Sequence, residues 1–92
     1  MDTQQMMICL ELQAILTGLK IRVGQITLRG NLADIPIHEH YNGEGKPIIK
    51  LRTLLQARRS LKYAGHVPTS LTSSSLGGPM LLTVRLRHDA LS

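Results

Sequence analysis

The sequence predicts an α+β fold: a small single domain, mostly antiparallel sheet, with one amphipathic basic helix. Three observations carry this. Short runs between Leu19 and Tyr41, and again over Met80–Arg87, alternate apolar and polar residues with the period of a half-buried strand. Asn42-Gly43 sits between two such runs and reads as a hairpin turn. After Leu51 the apolar period changes from two to that of a helix.

Taken in order, Ile8, Leu10, Leu12 and Ala14 alternate with Cys9, Glu11 and Gln13, which suits a strand. Glu, Leu, Gln and Ala are also good helix formers, so residues 7–16 fit either element. Gly18 ends it in both cases. Leu19, Ile21 and Val23 then alternate with Lys20 and Arg22. Gly24 breaks the phase before Ile26 and Leu28, as a bulge or tight bend would. Gly30-Asn31 makes a turn into a third strand from about Ala33 to Tyr41. Pro36 within it cannot donate to a ladder, which places this strand at a sheet edge. The turn at Asn42-Gly43-Glu44-Gly45 closes a hairpin from Ile35 to about Leu51.

A helix follows over about Arg52–Ala64, with Leu51, Leu54, Leu55 and Leu61 and the small Ala57 and Ala64 on one broad face. Arg52 and Arg59 form a ridge beside that face, with Lys62 near it. Gly65 is placed to end the helix, and Pro68 lies beyond. Residues 69–78, rich in Ser, Thr and Gly, read as a flexible loop inside the single domain 1–92. Leu82, Val84 and Leu86 alternating with Thr83, Arg85 and Arg87 give the last strand.

Composition sets further limits. A 10.2 kDa chain has room for one core, and with no Phe or Trp that core is built from Leu and Ile. A small domain of this kind buries a modest fraction of its surface, so a homodimer or larger assembly is expected to cover its strand edges. Cys9 alone offers neither a disulfide framework nor a cysteine zinc cluster. No apolar run reaches the roughly 20 residues of a membrane span, and the N-terminus lacks the basic start of a secretory signal. The expected location is therefore intracellular, and the expected state soluble.

Charge is divided unevenly. Residues 1–44 hold three Lys or Arg against five Asp or Glu, whereas residues 45–92 hold eight against Asp89 alone. Such a basic half, without an acid from Gly45 to His88, suits an anionic partner: nucleic acid, an acidic protein surface or anionic lipid. The residues expected to carry it are Lys50, Arg52, Arg58, Arg59 and Lys62, joined by Arg85 and Arg87 on one strand face. Tyr41 and Tyr63 are the only aromatics, so stacked single-stranded bases are disfavoured and a duplex held by its backbone is preferred. The bland counterpart is a solvated face whose Arg and Lys stems lie over leucines. A second functional reading is an accessory protein acting through protein or lipid contacts of its Leu/Ile surface.

Catalysis finds little support. Ser73-Ser74-Ser75 lacks a nucleophile elbow, and Gly43-Glu44-Gly45 lacks the ending of a phosphate loop. Cys9 has no basic neighbour in sequence and reads as a packed thiol. His38 and His40 share one strand face and would supply two metal ligands, completed by His66 or His88, but no spacing fixes a third. The expectation is a non-enzymatic binding module without a cofactor or metal. Pro47-Ile48-Ile49 with Leu51-Arg52 and Ala57-Arg58-Arg59-Ser60-Leu61 resembles a short stretch of the coronavirus accessory protein read from a frame overlapping the nucleocapsid gene. Val84-Arg85-Leu86-Arg87 resembles a strand of the betasatellite pathogenicity protein. Each covers a small part of the chain, the two imply different folds, and neither lends a role to any residue.

Overall fold

A computed structural model describes residues 2–38, 40–41, 47–72 and 79–91 of the chain. Its order is α1 (Thr3–Gly18), β1 (Arg22–Val23), β2 (Thr27–Arg29), β3 (Leu32–His38), β4 (His40–Tyr41), β5 (Pro47–Ile48), α2 (Leu51–Tyr63), β6 (Val67–Thr72), β7 (Met80–Arg85) and a 3₁₀ turn at His88–Leu91. The domain is α+β, with a five-stranded antiparallel sheet in the order β1-β3-β7-β6 and β2 also paired to β3.

The first element is a helix. Asp2 caps it by accepting from the Gln5 N–H at 2.7 Å, while the Gln5 side chain accepts from the Asp2 N–H. This reciprocal box satisfies two donors that a helix start leaves free. Ile8, Leu12 and Leu16, spaced by four, form its buried face, whereas Leu10 stands exposed.

Both helices end alike. At α1 the Lys20 N–H donates to the Thr17 carbonyl and the Ile21 N–H to the Leu16 carbonyl. At α2 the Gly65 N–H donates to the Lys62 carbonyl and the His66 N–H to the Leu61 carbonyl. Each pair is a Schellman motif, which needs a left-handed residue and turns the next side chain inward. Gly65 takes φ +89° freely, whereas Lys20 adopts φ +63° despite its Cβ. The residues that follow, Ile21 and His66, are both buried.

Strand β3 runs through the middle of the sheet, which corrects the edge position expected from Pro36. On one side it pairs with β1 and β2; on the other, Leu32 to Ile37 pair with Arg85 to Met80 of β7. The Pro36 carbonyl accepts from the Gly24 N–H at 2.8 Å, so the proline nitrogen faces the same neighbour. That neighbour leaves the ladder at Gly24, just after β1 and before β2 resumes it, so the missing donor falls where the pairing breaks off. Gly24 marks the interruption, because a Cβ there would lie 2.8 Å from His38 Nε2 and 3.2 Å from the Pro36 ring. The phase slip read in the sequence is this break.

Two further expectations change. The loop placed at residues 69–78 begins later, since Thr69–Thr72 belong to β6, paired with β7 through a bulge between Pro68 and Ser70. An edge position and a bulge are what a strand containing Pro68 requires. The final strand stops at Arg85, so Leu86 and Arg87 lie beyond it. The hairpin is present as His40↔Ile48 and Tyr41↔Pro47, but its Asn42-Gly43 turn lies outside the described residues, as do residues 73–78.

Both helices lie on one face of the sheet. Ala33, Ile35 and Ile37 of β3 and Leu82 and Val84 of β7 meet Leu12 and Leu16 of α1 and Ala57 and Leu61 of α2 in a continuous core. The opposite face of the sheet holds Arg29, Asp34, Thr83 and Arg85. There Asp34 accepts from Arg29 Nε at 2.6 Å and from the Thr83 hydroxyl at 3.0 Å. The Arg29 hydrogen bond holds the Asp34 carboxyl below its usual pKa.

Candidate functional site

Helix α2 presents the cationic surface. Its sequence has no Gly or Pro, is rich in Leu, Arg, Gln, Ala and Lys, and stops at Gly65. Ala57 and Leu61 anchor it to the core, which leaves Arg52, Arg58, Arg59 and Lys62 exposed, with Lys50 exposed at its N-cap. No side chain caps the first turn, and that turn contains no acid. The free N–H groups there add partial positive charge to Lys50 and Arg52. Among the described residues none of these five cations meets a carboxylate.

The leucines divide differently from expectation. Leu54 and Leu61 face the protein, but Leu51 is 71% and Leu55 is 48% exposed. These two border a groove of about 340 Å³ between α2 and β6, whose other walls include Leu54, Pro68, Leu71 and Leu82. Arg58 stands in its wall. The outer side of α2 is therefore mixed, with cations beside an apolar cleft.

The two remaining predicted cations do not join this surface. Arg85 is exposed on the opposite face of the sheet, between Leu32 and Val67 in register. Arg87, beyond the strand, is half-buried and paired with Glu11 at 2.5 Å and Asp89 at 3.1 Å. Its guanidinium also reaches the Ala64 carbonyl at 3.5 Å.

Arg87 belongs to a cluster that sequence reasoning missed. His66 is fully buried, and its Nδ1 accepts the Arg87 backbone N–H at 3.1 Å. The ring proton therefore sits on Nε2, which donates to Glu11 Oε1 at 2.6 Å. Partial burial pushes the Glu11 carboxyl up, but hydrogen bonds from His66 and Arg87 and the Arg87 charge outweigh it and leave the pKa lowered. Glu11 Oε1 thus accepts from both His66 and Arg87, and the set ties α1 to the end of α2 and the end of β7. The partners are 55 and 76 residues apart, and no local pattern signals them.

No family model matches the chain, and neither does any curated protein or solved structure. His66, one of the candidates to complete a metal site, is committed to Glu11 and Arg87. His38 is exposed at the end of β3. Among the described residues, no three His, Cys, Asp or Glu side chains gather to hold an ion. Cys9 is half-buried on α1, and burial raises its thiol pKa, which suits a packed group. No described helix is long and apolar enough to cross a membrane.

Proposed function

We propose that the protein is a non-enzymatic binding module that holds an anionic backbone, most simply that of a nucleic-acid duplex, against the outer face of α2. The observation behind this reading is the row Lys50, Arg52, Arg58, Arg59 and Lys62, exposed and unmatched by any described carboxylate. Such cations gain most from a partner that releases counterions on binding. The 13 residues of α2 span about 20 Å, enough to meet several phosphates along one strand. Tyr63 is 95% exposed on this helix, but a single ring is no platform for successive bases. Backbone contact without base reading is therefore favoured.

The test is retention of labelled duplex and single-stranded RNA and DNA in gel shifts at two salt concentrations. Duplex binding that weakens steeply with salt and varies little with sequence is the expected result. Absence of salt-sensitive binding to every probe rejects the reading. A second reading is favoured by the exposed Leu51 and Leu55 beside the α2–β6 groove. There an apolar segment of a protein partner would dock, and raising salt would not weaken it.

A further inference from the structure

Helix α1 is apolar on two sides. Its inner side is buried in the core through Ile8, Leu12 and Leu16. Its outer side exposes Met6, Met7 and Leu10 at 50%, 64% and 57%. An exposed apolar stripe of this kind marks an interaction surface, and no described element packs on it. Along that side Thr3, Met7, Leu10, Ala14 and Thr17 are spaced by four, three, four and three, the rhythm of a helix–helix seam. None of them is charged, although the chain carries a net charge of +5. Thr17 donates its hydroxyl to the Gln13 carbonyl at 2.7 Å, so its polar atom needs no partner across the seam.

The geometry points to a second copy of this chain as the occupant, with α1 packed antiparallel to α1 of the partner about a two-fold axis at Leu10. Two features select this occupant. The first is self-complementarity: reversing the seam about Leu10 sets the long Met7 against the small Ala14, and Thr3 against Thr17. One such seam closes on itself, as a two-fold interface must. The second is charge. Two chains of +5 repel each other, and α2 and the open sheet face would oppose arginine to arginine. The α1 seam brings no cation against another. At its ends Asp2, about 12 Å from Leu10 along the axis, comes within about one turn of the Lys20 position of the other copy. That is one opposite-charge pair at each end, with the two helix dipoles antiparallel. The inference is independent of the anion-binding reading of α2.

Cross-linking reports this directly. Packed helices lie about 8–10 Å apart with Cα atoms about 2.3 Å from each axis, so residues facing across the two-fold bring their Cα atoms to roughly 4–5 Å. That is disulfide range. In a Cys9→Ser background, Leu10→Cys should oxidise to a linked dimer, while Gln4→Cys, exposed a quarter-turn from the seam, should not. Mixing Thr3→Cys chains with Thr17→Cys chains should give the mixed dimer and neither self-linked one. Self-linked Thr3→Cys would mean a parallel pairing and overturn the proposal. Sedimentation of the unmodified protein from about 1 to 100 µM should show a monomer–dimer equilibrium. Leu10→Lys, at a position already exposed in the single chain, should abolish that equilibrium without changing the circular dichroism. A folded unmodified protein that stays monomeric throughout, or equal cross-linking at Gln4→Cys and Leu10→Cys, rejects the proposal.

Discussion

The buried imidazole of His66 reaches across 55 positions of sequence to donate a hydrogen bond of 2.6 Å to the Glu11 carboxylate on α1. The donor is enclosed, so removing its acceptor leaves a polar group without water or partner. Glu11→Ala should therefore lower stability by about 1–3 kcal/mol. Glu11→Gln keeps an acceptor oxygen for Nε2 while giving up the charge opposite Arg87, and should cost less. Thermal melts of the two variants at neutral pH check the order.

Acid should weaken the fold through carboxylates. Glu11 and Asp34 both have pKa values below the unfolded ones, Glu11 because His66 and Arg87 outweigh the opposing effect of burial, Asp34 first through Arg29. Between the folded and unfolded values the unfolded chain binds more protons, so stability rises with pH across that interval. The contribution is fully present above the ordinary carboxyl range and is lost as pH falls through the lowered folded values. Asp34→Asn should flatten the acid limb of a stability–pH profile while leaving the neutral plateau standing. An acid limb as steep as that of the unmodified protein would show that Asp34 is not one of the groups responsible.

Lys20 holds a left-handed conformation that glycine accepts without strain, at the same motif position where α2 uses Gly65. Lys20→Gly should stabilise the protein by up to about 1 kcal/mol, the relief of left-handed strain offset by extra freedom of the unfolded chain. Gly65→Ala should do the opposite, because a Cβ there meets the Arg87 Cβ at 3.0 Å as well as an unfavourable φ. Chemical denaturation of both variants gives the two signs.

Local signals made part of this legible. The run from Leu51 to Gly65 specified its helix to within a residue, because helix formers and a left-handed terminator agreed. The alternation of Leu82 and Val84 marked the buried side of β7 correctly, though it carried the strand two residues too far, and Gly24 marked the break between β1 and β2. Residues 7–16 carried two periods at once, and the deciding signal was outside that window, in Asp2 and Gln5. Pro36 misled because a central strand can accommodate proline wherever its neighbour is interrupted, which only the register reveals. Thr69–Thr72 looked like a linker by composition, yet β7 supplied a ladder for them. Within the site, α2 was readable as a cationic helix, whereas the commitment of Arg87 to Glu11 depends on three distant segments and had no sequence signature.

That difference between the cations yields the functional prediction. Arg52 and Arg59 are exposed seven residues apart on α2, so an anionic backbone lying along the helix would touch both. Removing one phosphate-neutralising cation should reduce the log–log salt slope by about one unit. Arg52→Gln with Arg59→Gln should thus lower the slope for duplex by about two units and weaken binding equally for every sequence. Arg87→Gln removes the same charge from a residue already matched by Glu11 and Asp89. It should lower the melting temperature while leaving the salt slope near that of the unmodified protein. Binding isotherms over a salt series, taken after circular dichroism confirms that both variants fold, separate the two behaviours. Equal slopes for the α2 double variant and the unmodified protein would reject the anionic-backbone reading. Salt-insensitive binding would instead move attention to the apolar groove beside Leu51 and Leu55, where Leu55→Asp becomes the variant to measure.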